Sequence, residues 1–283
     1  QRQDIRFAVA QVPINLDPRY ATDASSARVN RLLYRSLVGF DARSEPIADL
    51  ATWQMMNPTQ YRFSLGKTGR TFHDGTSLSA QDVKATYESL MALKDSPLSG
   101  EFANISRIQI LDDNTFDFYL KVADNDFPAK LIIGILPESQ ISQGHDFSHH
   151  PLGTGPIAFV SWTNTLQLKR VSDRQTITLL EVKDPTVRIL KLMRGEVDIL
   201  QGDLPPELVR YLKTQPNIKV TESNGANFSY LGFNLQDKAL GNLKVRQAIA
   251  HAINRPEIIQ QALVGGTREA GAILPPEHWA GNK

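Results

Sequence analysis

Apolar positions recur along this chain in two periods, and the period switches several times. Ile5 to Val12 forms an apolar-rich run of strand length, closed by Pro13-Ile14-Asn15-Leu16-Asp17-Pro18, where Pro18 keeps Asp17 out of helical geometry. From Asp23 the spacing becomes that of a helix, with Val29, Leu32, Leu33 and Leu37 on one stripe and Arg28, Arg31 and Arg35 facing water. A strand followed by a helix opens an α/β domain.

Around Arg43-Ser44-Glu45-Pro46 this pattern gives way to a loop-rich region and then a strand over Tyr61–Leu65. An Asp74-Gly75 turn leads to Ser79, which caps a helix with Val83, Tyr87, Leu90 and Met91 on its inner face. Ile105–Leu111 and Thr115–Val122 alternate apolar and polar residues across Asp112-Asp113-Asn114, the signature of a short hairpin. Residues 44–156 therefore read as a mostly antiparallel insertion.

Pro151-Leu152-Gly153-Thr154-Gly155-Pro156 is a second hinge-like loop, followed by strand patterns at Ile157–Trp162, Leu166–Val171 and Thr176–Val182. Asp184 then caps a helix that starts on Pro185, buries Val187, Leu190 and Met193, and stops at Gly195. Glu196–Leu200 returns as a strand, Asp203 starts a short helix through Tyr211, and Ile218–Thr221 and Phe228–Asn234 are further strands. Asn242 caps a helix burying Val245, Ala248, Ile249 and Ala252. Asn254-Arg255-Pro256-Glu257 has the form of a capping box, starting a helix with Ile258, Ile259 and Ala262 inside that ends at Gly265-Gly266.

Composition narrows the classes. The 283 residues are 41% hydrophobic, enough for a substantial core and for two domains of ordinary size. Lys plus Arg total 31 against 30 Asp plus Glu, so the net charge of +1 offers no global field for nucleic acid or an anionic membrane. The longest apolar run, Leu131–Leu136, falls far short of a bilayer span. With no cysteine, disulfides, cysteine-ligated zinc, iron–sulfur clusters and cysteine nucleophiles are excluded. The opening Gln1-Arg2-Gln3-Asp4 lacks the sections of a signal peptide, so any export signal is expected to have been removed or never to have been present.

Candidate chemistry is sparse. Gly153-Thr154-Gly155-Pro156-Ile157-Ala158 matches a dinucleotide-loop pattern in form, but Pro156 removes an N–H and a strand follows where a helix is required. His73 beside Asp74 fits a turn better than a metal ligand, and the adjacent His149 and His150 read as a solvated loop. Glu196 and Asp198, two apart on a strand, would share one face and read as surface carboxylates rather than an acid and base pair. No Gly-x-Ser-x-Gly elbow is present, and no residue set demands an enzyme.

Read together and in order, several blocks carry a resemblance. They are Leu16-Asp17-Pro18, Leu33-Tyr34-Arg35-Ser36-Leu37-Val38, Ile47-Ala48-Asp49-Leu50-Ala51 and Phe72-His73-Asp74-Gly75 with Ser79-Ala80-Gln81-Asp82-Val83. Gly153-Thr154-Gly155-Pro156, Gly195-Glu196-Val197-Asp198-Ile199 and Val245-Arg246-Gln247-Ala248-Ile249 complete the set. From about Ile5 to Pro276 the chain resembles the family 5 extracellular solute-binding proteins, which serve ABC importers of oligopeptides, dipeptides and nickel chelates. It departs from that family at Ser172-Asp173-Arg174-Gln175, where an aromatic-bearing segment is usual, and at Lys283, where relatives continue through most of a second lobe.

The resemblance implies an α/β fold of the periplasmic-binding-protein type (class II, cluster C). The first lobe would carry an inserted, mostly antiparallel α+β subdomain, and the second lobe would be largely missing. It places the first-lobe subdomain at residues 1–43 and 157–232, the insertion at 44–156 and the start of the second lobe at 233–283. It implies noncovalent capture of a peptide or other small solute, no cofactor, no metal and no nucleic acid. The partners would be the permease subunits of an ABC transporter, and the protein a monomer in the periplasm or outside the cell, with a lipid anchor left open. Expected ligand contacts are Val12, Pro13 and Ile14 after the first strand and Tyr230, Gly232 and Asn234 on a crossing strand, with Phe102 and Thr154 at the cleft edge. Sheet core is an equal reading for Tyr230. A ligand-sensing or interaction module built on the same fold is the alternative, and a hydrolase a distant third.

Overall fold

The computed structural model describes residues 4–281, which divide into two compact units, one of residues 4–41 and 45–203 and the other of residues 42–44 and 204–281. In chain order the first unit contains β1 (Asp4–Val9), α1 (Ala24–Leu33), β2 (Val38–Phe40), β3 (Pro46–Ala48), β4 (Ala51–Asn57), β5 (Gln60–Leu65) and α2 (Ala80–Ala92). It continues through β6 (Ile105–Asp112), β7 (Thr115–Leu120), α3 (Glu138–Ser142), β8 (Ile157–Trp162), β9 (Leu166–Arg170), β10 (Thr176–Glu181), α4 (Pro185–Met193) and β11 (Ile199–Gln201). The second unit holds α5 (Pro206–Lys213), α6 (Leu243–Ala252) and α7 (Arg255–Gln261).

Two larger sheets organise the first unit, beside the antiparallel pair β2-β3. One runs β11-β1-β10-β9-β8, with β1 parallel to both β10 and β11 and the remaining pairs antiparallel. Leu33, Leu166, Leu168 and Leu179 lie in the core between this sheet and α1. The other is the antiparallel order β4-β5-β7-β6, and its core is aromatic. Phe118 meets Phe63, Tyr87 and Phe127 edge-on, at centroid distances of 5.4, 5.6 and 5.3 Å.

Helix starts follow their caps. Asp23, Ser79, Asp184, Asn242 and Asn254 each accept a backbone N–H from the first turn of α1, α2, α4, α6 and α7. Ser79 and Asp82 close a full capping box. At Asn254 the box is altered, because Glu257 accepts from the Asn254 side chain at 3.0 Å. The helix expected from Asp203 starts at Pro206 instead, since each proline disfavours helical geometry in the residue before it.

Buried faces and some strands differ from the sequence reading. In α1 the inner stripe is Ser26, Val29, Asn30 and Leu33; Leu32 is exposed and Leu37 lies beyond the helix. In α4 the buried pair is Arg188 and Ile189, while Val187, Leu190 and Met193 face outward, because hydrogen bonds from Arg188 to the Val182 and Lys183 carbonyls set the rotation of the helix. No residue of α6 or α7 is buried, so Val245, Ala248, Ile249, Ala252, Ile258, Ile259 and Ala262 do not form the expected core. Residues 218–221 and 228–234 are not strands, since neither finds a partner strand among the described residues. β2, β3 and β4 were not legible as strands, since β3 is wholly exposed and β4 mostly so.

One junction ties the insertion to the end of α1, which packs on the mixed sheet. α1 ends at Leu33, and Tyr34 leaves it with φ −122°. A Cβ on Gly153 would stand 2.2 Å from the Leu33 carbonyl oxygen, one on Gly155 2.2 Å from that of Leu32, and one on Gly134 2.5 Å from Tyr34 Cβ. Only glycine permits these approaches. The Gly155 N–H donates to the Leu33 carbonyl at 2.9 Å, satisfying the helix end.

Candidate functional site

The carboxyl ends of the parallel strands are where an open α/β sheet offers a crevice. The loop leaving β1 there is held by side chains from two other elements. Glu181, the last residue of β10, accepts the Val12 N–H at 3.3 Å. Ser26 Oγ accepts from Ile14 N at 2.9 Å and Asn15 N at 3.2 Å, while Ser25 Oγ donates to the Gln11 carbonyl at 2.8 Å. Pro13 is buried and Ile14 is 64% exposed. The loop thus presents an apolar tip on a fixed backbone, and Ser26 and Glu181, which hold it, carry no signal in the sequence because their partners are distant in the chain.

The other expected contact residues have surroundings of their own. Phe102 is 1% exposed and packs edge-on against Tyr87 at 5.3 Å in the core of the insertion. Thr154 is buried between Gly153 and Gly155, and its hydroxyl has no hydrogen-bond partner among the described residues. Tyr230, Gly232 and Asn234 belong to the second unit. Tyr230 is 80% exposed and lies 5.8 Å from the Phe228 ring. Asn234 does not end a strand; its Oδ1 accepts from Gln236 N at 3.1 Å in a local turn. A cavity of about 300 Å³ in the second unit, lined among others by Leu204, Val209, Arg210, Leu263 and Val264, includes none of these residues.

The motifs weighed for catalysis are all engaged structurally. His73 does more than turn the chain: its Nε2 donates to the Gly155 carbonyl at 2.9 Å, and its N–H to that of Gly153 at 3.0 Å. Burial lowers the pKa of its imidazole from 6.5, against an opposing pull from the Gly155 bond and Asp74. Asp74 and Gly75, with φ +91°, make the turn beside it. Glu196 precedes β11 and pairs with Lys191 at 2.7 Å, whereas Asp198 accepts from Arg6 N at 2.9 Å. They do not share a strand face, because β11 begins only at Ile199. His149 Nδ1 contacts Asp146 at 2.9 Å. Among the described residues no group of three or more His, Asp or Glu is placed to hold a metal ion.

The first unit is thus a capped α/β lobe with an anchored loop at the carboxyl ends of its parallel strands. The family model for bacterial extracellular solute-binding proteins, family 5 Middle, matches residues 44–283. The chain belongs to that family. It is 28% identical over 292 residues to the glutathione-binding protein GsiB of Pectobacterium atrosepticum, covering 96% of this chain and 56% of the relative. NikZ from Campylobacter jejuni, solved in complex with Ni(L-His), is 25% identical with a TM-score of 0.81, over 99% of this chain and 59% of that one. The oligopeptide-binding protein AppA from Bacillus subtilis, solved with a nonapeptide, shares the fold at 23% identity and a TM-score of 0.80, over 99% and 59%. The chain therefore spans little more than half the length of these relatives. No helix among the described residues is long and apolar enough to cross a membrane.

Proposed function

We propose that the protein is the solute-capturing component of an ABC import system, binding a peptide-like ligand noncovalently and without a chemical step. The observation that carries this reading is the loop Val12–Ile14, whose backbone is fixed by Glu181 and Ser26 before any ligand arrives. A preorganised loop loses little further conformational entropy on binding. The names of the relatives support the solute class: one binds glutathione, itself a peptide, and another was solved with a nonapeptide.

In this reading Val12, Pro13 and Ile14 contact the solute from the first lobe, at residues 1–43 and 157–232, and Tyr230, Gly232 and Asn234 contact it from the crossing segment. The insertion at 44–156 supports the first lobe, with Phe102 and Thr154 acting from behind the surface. Residues 233–283 begin a second lobe, and closure of the two lobes encloses the solute. The protein works as a monomer in the periplasm or outside the cell and delivers its cargo to permease subunits.

Isothermal titration against glutathione, dipeptides, a nonapeptide and Ni(L-His) tests the proposal. Saturable binding of at least one peptide is expected, weakened about tenfold or more by Ile14→Asp, which places a charge on the apolar tip. The absence of binding to every member of the panel overturns it.

A further inference from the structure

The guanidinium of Arg188 has an unused edge at the carboxyl ends of three parallel strands. Its Nη1 donates to the carbonyls of Val182 at 2.7 Å and Lys183 at 3.0 Å, just past β10. Its Nη2 lies against Gly202, just past β11; a Cβ there would stand 3.2 Å from Nη2 and 3.7 Å from Ala10 Cβ, just past β1. Arg188 is 1% exposed, its Nε is buried without a partner, and no hydrogen bond reaches Nη2 among the described residues.

Three other arginines of the chain fill this edge, whereas Arg35 also leaves its Nε without a hydrogen bond among the described residues. Arg19 grips Asp17 through Nε and Nη2 at 3.0 and 2.8 Å, Arg62 grips Asp117 at 2.9 and 3.0 Å, and Arg170 holds Asp173 in the same way. The planar Nε and Nη2 donors match the two oxygens of one carboxylate. Two acids that flank the Val182 and Lys183 carbonyls are engaged with other groups, and Asp203, next to Gly202, is exposed. Glu181 holds Val12 N and lies 3.5 Å from Lys183 Nζ, and Asp184 holds Val187 N at 2.9 Å. A buried cation with two unused donors favours an incoming anion, because removing such a group from water without a partner is costly.

We infer that the Nε and Nη2 edge of Arg188 is a carboxylate subsite, which receives the carboxylate of the solute beside Gly202. Glycine at position 202, with φ +142°, leaves the Nη2 side free of a side chain. The inference rests on the solute-binding reading and adds to it the charge and shape of one end of the cargo.

Two measurements test it. In the first, the protein labelled with ¹⁵N at arginine is titrated with acetate against chloride at equal ionic strength, and the Arg188 Nε–H resonance is followed. A saturable shift with acetate alone is expected; no shift overturns the subsite, and this measurement needs no variant. In the second, a dipeptide and its C-terminal amide are compared by calorimetry on the wild type and on Arg188→Lys, which keeps the charge and loses the fork. The acid is expected to bind about tenfold more tightly than the amide in the wild type, with that preference falling to about twofold in the variant. Equal preference in both proteins overturns the subsite while leaving the import reading intact. A saturable acetate shift in a protein that binds no peptide of the panel supports the subsite and overturns the import reading.

Discussion

Helices α2 and α6 begin with equal clarity and end in different situations. Ser79 caps α2, and behind it Val83, Thr86, Tyr87 and Leu90 are all buried. Asn242 caps α6 just as directly, accepting from Lys244 N, yet no residue of α6 is buried. A cap is a local contract between a side chain and the next two or three backbone N–H groups. Burial requires another element to supply the opposite surface. The first unit supplies it with two sheets, while the second unit has no strand among its described residues. Stability in this chain should therefore be concentrated where aromatic side chains interlock, rather than wherever a helix is written clearly.

The sharpest way to break that contrast is to delete one interlocking ring. Phe118→Ala removes a fully buried side chain with ring contacts to Phe63, Tyr87, Phe116 and Phe127, and a loss of about 3–5 kcal/mol is expected. Ile258→Ala in α7, where the side chain is 49% exposed, should cost less than about 1 kcal/mol. Urea unfolding of the two variants measures both, and comparable losses would refute the concentration of stability in the first unit.

Gly155→Ala is expected to come next, at about 3 kcal/mol, because its Cβ would stand 2.2 Å from a backbone oxygen that has no rotamer to escape into. Gly144 has φ +69° but open space around it, so Gly144→Ala reports only backbone strain, about 1 kcal/mol. A smaller loss at Gly155 than at Gly144 would show that the junction at Leu33 and Tyr34 yields easily.

These sites also mark how far the sequence could be read. The caps at Asp23, Ser79, Asp184, Asn242 and Asn254 and the hairpin of β6 and β7 were legible, because each signal lies within a few residues of its partner. The Gly153-Thr154-Gly155-Pro156 block was legible as a marker and not as a joint, since what makes it a joint is the Leu32 and Leu33 carbonyls far upstream. The loop Val12–Ile14 was legible as a turn after a strand, whereas Glu181 and Ser26, which fix it, were not. Residues 218–221 and 228–234 failed for the opposite reason: their β-type pattern is real, but pattern does not provide a pairing strand.

A smaller effect is expected at His73. Burial depresses its pKa from 6.5, so below that value the unfolded chain binds more protons than the folded one. Stability contributed by the neutral imidazole is complete above pH 6.5 and is lost as pH falls towards the folded pKa. Asp82 acts in the opposite sense, because burial raises its carboxyl above 3.8, and folding then favours its protonated form as the medium becomes acidic. The difference in urea midpoint between the wild type and His73→Gln, followed from about pH 7 to pH 5, isolates the imidazole. The wild type should lose midpoint over that range and the variant should lose less; parallel curves would remove His73 from the joint.

The smallest effect on stability should come from Tyr230→Ser. The ring is 80% exposed and touches Phe228, so the change should stay within about 0.5 kcal/mol. That near-neutrality makes the variant informative for binding. A large exposed aromatic that contributes nothing to folding is free to contribute to recognition, where rigid rings give contact area at low entropic cost. Calorimetry on a folded Tyr230→Ser protein should then show peptide affinity falling by about tenfold. Unchanged affinity with unchanged stability would remove Tyr230 from the solute contacts.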